Sequence, residues 1–401
     1  MITFATMKEQ DSNSPIIHLQ QQQLLLRMEY EYEKEEFKRQ TENMGVARKV
    51  KRGLCWYPAT PGRSYYNSLN QLVIEITHTE NTDIEHNFEF GRPVCFFRQS
   101  ADGKITYMNF TATVSYADET RMVAIMPGAG AVMEVQETDN LGVQLYFDET
   151  SYRTMFEALE DTLRSKGNRL AELRDILLGT PKAGFRELYP VRFPWLNSTQ
   201  ETAVNKVLCA RDVAIVHGPP GTGKTTTLVE AIYETLHREP QVLVCAQSNT
   251  AVDWISEKLV DRGVNVLRIG NPTRVNDKML SFTYERRFEN HPLYPELWSI
   301  RKNLRELGSR ARRGSYGVRS RMSRLRDRAT ALEIQINAEL FDGAHVIAST
   351  LVSSNHRLLN GRRFGTLFID EAAQALEAAC WIAIRKADRL VLAGDHCQLP
   401  P

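Results

Sequence analysis

The most constraining feature of this chain is the octapeptide from Gly218 to Thr225, Gly-Pro-Pro-Gly-Thr-Gly-Lys-Thr. It satisfies the pattern GxxxxGK[ST] in full. Its setting matters as much as its letters: an apolar run at 213–216 precedes it, and a helix-forming run at 226–236 follows. A strand, a glycine-rich turn and a helix in that order make a phosphate cradle. The glycines let backbone N–H groups wrap an anion, and the helix start presents its positive dipole end. On this reading Gly218, Pro219, Pro220, Gly221, Thr222, Gly223, Lys224, Thr225 and Thr226 line a nucleotide site. Lys224 neutralises the β- and γ-phosphates, and the Thr225 hydroxyl binds Mg²⁺.

Such a loop belongs to a parallel sheet, and the sequence supplies one. Apolar runs at 242–246, 264–269, 346–348, 367–369 and 390–393 read as buried parallel strands between helices. The expected fold class is α/β with helices on both faces of the sheet. Ligands collect at the carboxyl ends of such strands, and two more motifs lie there. Asp370-Glu371-Ala372-Ala373 follows one strand. Asp370 is placed to hold Mg²⁺ opposite the phosphate loop, and Glu371 to orient or deprotonate an attacking water. The run from Gly394 through Asp395, His396, Cys397 and Gln398 to Pro401 follows another. From there Gln398 would reach the γ-phosphate.

The 401 residues exceed what one core usually serves, and four regions differ in pattern. Residues 1–49 form an arm, with a long helix expected at 16–45. Residues 50–148 carry short alternating segments at 72–77, 93–98, 106–115, 122–125 and 132–136, which read as a small antiparallel β-barrel or sandwich. Its aromatics Tyr65, Tyr66, Phe96, Phe97 and Tyr107 could stack on bases but read mostly as barrel core. Residues 149–182 return to helix, expected as one stalk helix over 149–178. Residues 183–401 hold the α/β domain, interrupted at 282–341 by a charged helical insertion. Eleven Arg and Lys fall within 301–328 of that insertion: Arg301, Lys302, Arg305, Arg310, Arg312, Arg313, Arg319, Arg321, Arg324, Arg326 and Arg328. They face only Glu306 and Asp327. Such a cluster either grips a phosphate backbone or forms a solvated face.

Composition narrows the rest. Fifty basic and 49 acidic residues leave a net charge of +1, so nucleic-acid binding depends on local charge. The six cysteines show neither zinc-ligand nor disulfide spacing. With no long apolar run and no secretory leader, the expected location is cytoplasmic, with no membrane partner.

Taken together, LNSTQ (196–200), GPPGTGKTTT (218–227), SNTAVD (248–253), RIGNPTRV (268–275), DEAAQALE (370–377) and GDHCQLPP (394–401) resemble superfamily 1B helicases. That group contains the up-frameshift RNA helicase and the immunoglobulin mu-binding protein helicase. The resemblance implies a RecA-like ATPase domain that uses ATP and Mg²⁺ and moves 5′-to-3′ on single-stranded RNA or DNA, with a monomer as the expected state. It implies that Gln200 reads the adenine edge. It implies that Ser248, Asn249 and Thr250, then Ser349 and Thr350, contact nucleic acid. Where the family often has proline before Ser-Asn, this chain has Gln247. The resemblance also implies a second RecA-like domain, absent here, so the expectation is the N-terminal portion of a longer helicase with poor activity alone. Two alternatives stay open: a P-loop ATPase that remodels protein complexes, and a nucleotide-binding module without productive turnover.

Overall fold

The computed structural model describes residues 14–80, 83–219, 221–270, 277–310 and 316–397. They divide into two units. One comprises Glu33–Asp148 and Tyr284–Leu340, the other Met1–Tyr32, Glu149–Thr283 and Phe341–Pro401.

The first unit is built on an antiparallel sheet of seven strands. They are β1 (Cys55–Trp56), β2 (Thr60–Tyr66), β3 (Leu72–Thr77), β4 (Pro93–Gln99), β5 (Ile105–Ala117), β6 (Arg121–Ile125) and β7 (Leu141–Leu145). Their spatial order is β1-β7-β4-β5-β6-β3-β2. β1 and β2 therefore lie at opposite edges, yet only residues 57–59 join them. Laid flat, six strand spacings cover about 29 Å, whereas the link from Trp56 to Thr60 reaches about 14 Å. The sheet must curl until its edges approach, which is the barrel the alternation predicts.

Alternation builds its interior. Ile74 and Ile76, Val94 and Phe96, Ala112 and Val114, Met122 and Ala124, and Leu141, Val143 and Leu145 share one buried cluster at two-residue spacing. Phe97 points to the other face and packs with Val46 and Cys55. Of the five aromatics, Phe96 and Phe97 are fully buried, while Tyr66 and Tyr107 are exposed. The expectation that most of these aromatics are barrel core thus holds for the phenylalanines and fails for these two tyrosines; the Tyr107 hydroxyl donates to the buried Gln144 at 3.2 Å.

A second expectation is corrected at 132–136, which is helix rather than strand. The helix spans Ala129–Gln136 and buries Val132 and Val135, three residues apart on one helical face. A five-residue segment such as Val-Met-Glu-Val-Gln does not distinguish the two periods, and Ala, Met, Glu and Gln favour helix.

The insertion consists of helices Tyr284–Glu289, Tyr294–Arg310 and Tyr316–Asp342. The last is stapled back by Tyr284 donating to Asn337 Oδ1 at 2.6 Å and by His291 against Glu339 at 2.9 Å.

The second unit holds six parallel strands: β8 (Val213–His217), β9 (Val242–Ala246), β10 (Val266–Arg268), β11 (Val346–Thr350), β12 (Phe364–Asp370) and β13 (Ala387–Gly394). Their order is β10-β11-β9-β12-β13-β8. β9 and β10 are entirely buried, as expected for strands covered on both faces. The region 149–178 is two helices, Glu149–Arg164 and Arg169–Leu178, not one. Gly167 at φ 63° breaks the first, and Asn168 caps the second by accepting from the Ala171 N–H at 2.9 Å. The buried Arg174 guanidinium donates to the Thr162 and Ser165 carbonyls, at 2.9 Å each, satisfying the end of the broken helix. Within this unit residues 15–32, the first part of the long helix Pro15–Asn43, run antiparallel to Glu149–Arg164, with Gln23 donating to Glu160 and Tyr30 to Glu149. Among the described residues no helix is long and apolar enough to cross a membrane.

Candidate nucleotide and nucleic-acid site

Parallel pairing brings all the strand ends to one side. Thr350 and Asp370 are both in register with Ala246, and Gly394 is in register with His217. The chain leaves β8 directly into the phosphate loop. Gly221 and Gly223 adopt φ 78° and 79°, a left-handed conformation that other residues enter only with strain. Gly223 then caps the helix Lys224–Leu236, so that helix aims its free N–H groups into the loop. Thr222 donates to the Pro219 carbonyl at 2.7 Å, and Lys224 Nζ folds onto the same carbonyl at 3.4 Å. Thr225 lies in the first turn, half-buried, and Thr226 beside it is exposed. Pro220 lies outside the described residues.

Asp370 closes β12, two strands from β8, and is 3% exposed. Its Oδ1 accepts the Glu371 N–H at 3.0 Å. Burial pushes its carboxyl up to about 6, with the Glu371 charge adding; that N–H and the Lys224 charge oppose. A buried carboxylate held against its own charge is a receptor for a cation. Glu371 sits at φ 49°, ψ 42°, a left-handed backbone that costs a non-glycine residue roughly 1–2 kcal/mol. Its Oε2 is buried and accepts no hydrogen bond from the described residues. The Thr225 hydroxyl and Asp370 carboxylate are hard oxygen donors, and an orphaned carboxylate oxygen stands beside them. That donor set fits Mg²⁺. Gln398 lies outside the described residues.

Gln200 does two jobs. It is the third residue of the helix Ser198–Cys209, in a reciprocal capping box with Asn197. The Gln200 N–H donates to Asn197 Oδ1 at 2.9 Å, and Gln200 Oε1 accepts from the Asn197 N–H at 3.1 Å. Its amide nitrogen also donates to the Thr222 carbonyl at 3.3 Å. A Cβ on Gly223 would stand 2.4 Å from that nitrogen, so glycine there is required by the approach of Gln200 as well as by φ.

The nucleic-acid candidates are placed unevenly. Ser248 is exposed but spends its hydroxyl as the cap of helix Asn249–Asp261, accepting from the Ala251 N–H at 3.1 Å. Thr250 is exposed in the first turn of that helix. Asn249 Oδ1 accepts from Arg268 at 2.8 Å. Ser349 is fully buried and donates to the Thr350 carbonyl, so its hydroxyl faces inward. Thr350 is half-buried, its hydroxyl accepting from the Ser353 N–H.

Arg268 is the residue whose role the motifs did not announce. It is fully buried at the end of β10. Its guanidinium donates to Asp253 at 2.9 Å, to Asn249, and to the Ile269 carbonyl. One side chain thereby fixes both ends of the SNTAVD segment. A buried arginine fork is suited to that, since it offers several donors in one plane. The sequence signal was a lone arginine opening RIGNP.

The basic cluster also splits. Arg301 is buried, paired with Glu333 at 3.0 Å and donating to the Ser68 carbonyl at 2.9 Å. Arg305 donates to Asn70 Oδ1 at 2.6 Å and lies over the Tyr66 and Trp298 rings. Arg328 pairs with Glu296 at 2.8 Å. Lys302, Arg319, Arg321, Arg324 and Arg326 are exposed. The side chains of Arg310, Arg312 and Arg313 lie outside the described residues.

A family model described as AAA domain matches residues 195–314 and 298–401. An uncharacterized ATP-dependent helicase of Methanocaldococcus jannaschii is 31% identical over 309 residues, covering 66% of this chain and 46% of that protein. The DNA-binding protein SMUBP-2 of Mus musculus is 33% identical over 267 residues, 63% of this chain and 27% of that protein. The ATP-dependent helicase upf1 of Schizosaccharomyces pombe is 32% identical over 285 residues, 67% of this chain and 29% of that protein. The chain thus spans between about a quarter and a half of the length of these relatives.

Proposed function

We propose, since this chain belongs to the AAA-domain family and to the superfamily 1 helicases of the up-frameshift type, that it binds ATP with Mg²⁺ and couples hydrolysis to movement 5′-to-3′ along single-stranded nucleic acid. The observation that carries this reading is the buried Asp370 carboxylate, raised by desolvation and facing the Lys224 charge at the carboxyl ends of the parallel strands. A cation on Asp370 and a polyphosphate on Lys224 would offset both charges.

The reaction is in-line attack of water on the γ-phosphate. Backbone N–H groups from Gly221 to Thr225 bind the phosphates, and Lys224 swings from the Pro219 carbonyl onto their oxygens. Thr225 and Asp370 would hold Mg²⁺, which when bound neutralises charge on the β- and γ-oxygens. The orphaned Glu371 carboxylate aligns the water and takes its proton. The γ-phosphate role is assigned to Gln398 from its motif, and Gln200 selects adenine through its amide. Thr250, the helix start behind Ser248, and Thr350 meet the strand's phosphates without reading sequence.

The test is ATP hydrolysis by the chain with single-stranded RNA, single-stranded DNA or neither, beside Lys224→Ala. Strand-stimulated turnover that Lys224→Ala abolishes supports the proposal. Nucleotide binding without turnover under every condition reduces the chain to a binding module. Salt-insensitive turnover indifferent to either strand would favour an ATPase acting on proteins.

A further inference from the structure

The tips of β8 and β13 bring three metal-ligating side chains together outside the Thr225–Asp370 pair. His217 ends β8, and Asp395 and His396 follow β13. Their ligand atoms all lie within 4.8 Å of one another. His217 Nε2 is 3.4 Å from Asp395 Oδ1 and 3.1 Å from His396 Nδ1.

His217 Nε2 faces both Asp395 Oδ1 and His396 Nδ1, so one ring nitrogen stands within reach of two further ligand atoms. The second histidine is oriented from behind. Its Nε2 lies 3.6 Å from Cys397 Sγ, so a proton held there leaves Nδ1 as a lone pair directed at His217. The carboxylate is fixed too: Asp395 is 5% exposed, and its Oδ1 accepts the Cys397 N–H at 3.0 Å. Ligands held from outside in this way are the ordinary condition of protein metal sites.

The spacing selects the metal. Two ligands on a tetrahedral ion, each bonded at about 2.05 Å, stand about 3.3 Å apart. The two edges from His217 bracket that distance, and the third, between Asp395 and His396, is within 4.8 Å. Two imidazoles and one carboxylate suit Zn²⁺ and its neighbours and are a poor set for Mg²⁺. The His217 side chain is 48% exposed, so an ion can enter from solvent and keep water as its fourth ligand.

We propose that His217, Asp395 and His396 form a binding site for a borderline divalent transition metal, Zn²⁺ in the first instance, clipping the start of the phosphate loop to the turn after β13. The two tips already touch through the Gly218 N–H and the Gly394 carbonyl at 3.4 Å. An ion beside that contact would hold His217, the residue before the loop, against His396, two residues before Gln398. The site is separate from the one proposed for Mg²⁺ and does not depend on ATP.

The test uses the whole chain with Zn²⁺ and Co²⁺ as probes, in excess Mg²⁺ and without nucleotide. Calorimetry reads Zn²⁺ stoichiometry, and the visible bands of Co²⁺ read imidazole ligation. The expected result is one tight Zn²⁺ per chain. His217→Ala and His396→Ala should each weaken it more than about 100-fold, since even losing an outer partner costs about 10- to 100-fold. Asp370→Asn and Cys397→Ser should retain the ion. Thermal melting supplies an independent reading: Zn²⁺ should raise the midpoint of the native chain but not of His217→Ala, because an ion bound only by the folded state stabilises it by mass action. Tight binding that survives both histidine substitutions, loss of the ion in Asp370→Asn, or no stoichiometric Zn²⁺ in the native chain would each overturn the proposal. Both histidines are exposed, so these variants keep the core intact.

Discussion

Gln200 donates its side-chain amide to the Thr222 carbonyl at 3.3 Å while its oxygen closes the capping box with Asn197. One residue therefore couples a helix start to the phosphate loop. The two duties separate by substitution. Gln200→Ala loses both and should destabilise the chain by about 1 kcal/mol. Gln200→Glu keeps an oxygen for the box but has no amide to give, so its melting midpoint should stay near native. If Gln200 reads adenine, both variants lose preference for ATP over GTP. Competitive nucleotide binding checks this, and a Gln200→Glu variant that keeps the preference would assign Gln200 to structure alone.

Asp370 makes stability depend on pH. Its carboxyl is raised from 3.8 to about 6, so between those values the folded chain binds more protons than the unfolded one. The stabilisation is full below about pH 4 and is lost as pH rises through about 6. Asp370→Asn removes that loss and should stabilise the ligand-free chain above pH 7 by on the order of 1–3 kcal/mol, with little advantage near pH 4. Denaturant melts of both chains at the two pH values check it. Mg²⁺-nucleotide affinity should move the other way, rising between pH 5 and 7 as the carboxyl ionises, and should be abolished in Asp370→Asn.

Arg268 should be costly to replace. Arg268→Ala strands Asp253 beside a buried gap and should cost about 3 kcal/mol or more. Arg268→Lys keeps the charge but cannot reach Asp253, Asn249 and the Ile269 carbonyl together. Its single-strand affinity should fall more than its melting midpoint, as the segment from Ser248 to Asp253 loosens. Fluorescence titration beside thermal melting separates the two effects.

The exposed and internal arginines of the insertion should differ in kind. Replacing Arg321 and Arg324 by Glu should leave the fold intact and flatten the salt dependence of single-strand binding, by about 0.7 in log–log slope per lost phosphate contact. Arg301→Ala should instead lower stability, because it leaves Glu333 and the Ser68 carbonyl without their donor. An unchanged slope in the double variant would make this face merely solvated.

What the sequence made legible was local. The phosphate loop, the Asp370 motif and the apolar strands announce themselves within a few residues, because their physics is short-range. The strand β7 was missed because Gly142 interrupts its pattern. The fold explains that glycine: it pairs with Phe97, whose ring stands 2.2 Å from where a Cβ would be. Arg268 and the His217–His396 pair were hidden for another reason. Their partners lie 15, 19 and 179 residues away, and only the assembled sheet brings them together. Val132 and Val135 misled by brevity, since so short a run fits either period.

The curled sheet also sets an order of events during folding. β2–β3, β4–β5 and β5–β6 pair between neighbours along the chain. β1 pairs only with β7, Cys55 opposite Gln144. Those partners are separated by almost the entire barrel sequence, and closing so long a loop is a slow step. Local hairpins therefore come first and wait, with one edge open, until residues 141–145 are available to fill the seam between β1 and β4. Pulse-labelled hydrogen exchange should find the amides of β7 protected last, after those of the β4–β5 hairpin.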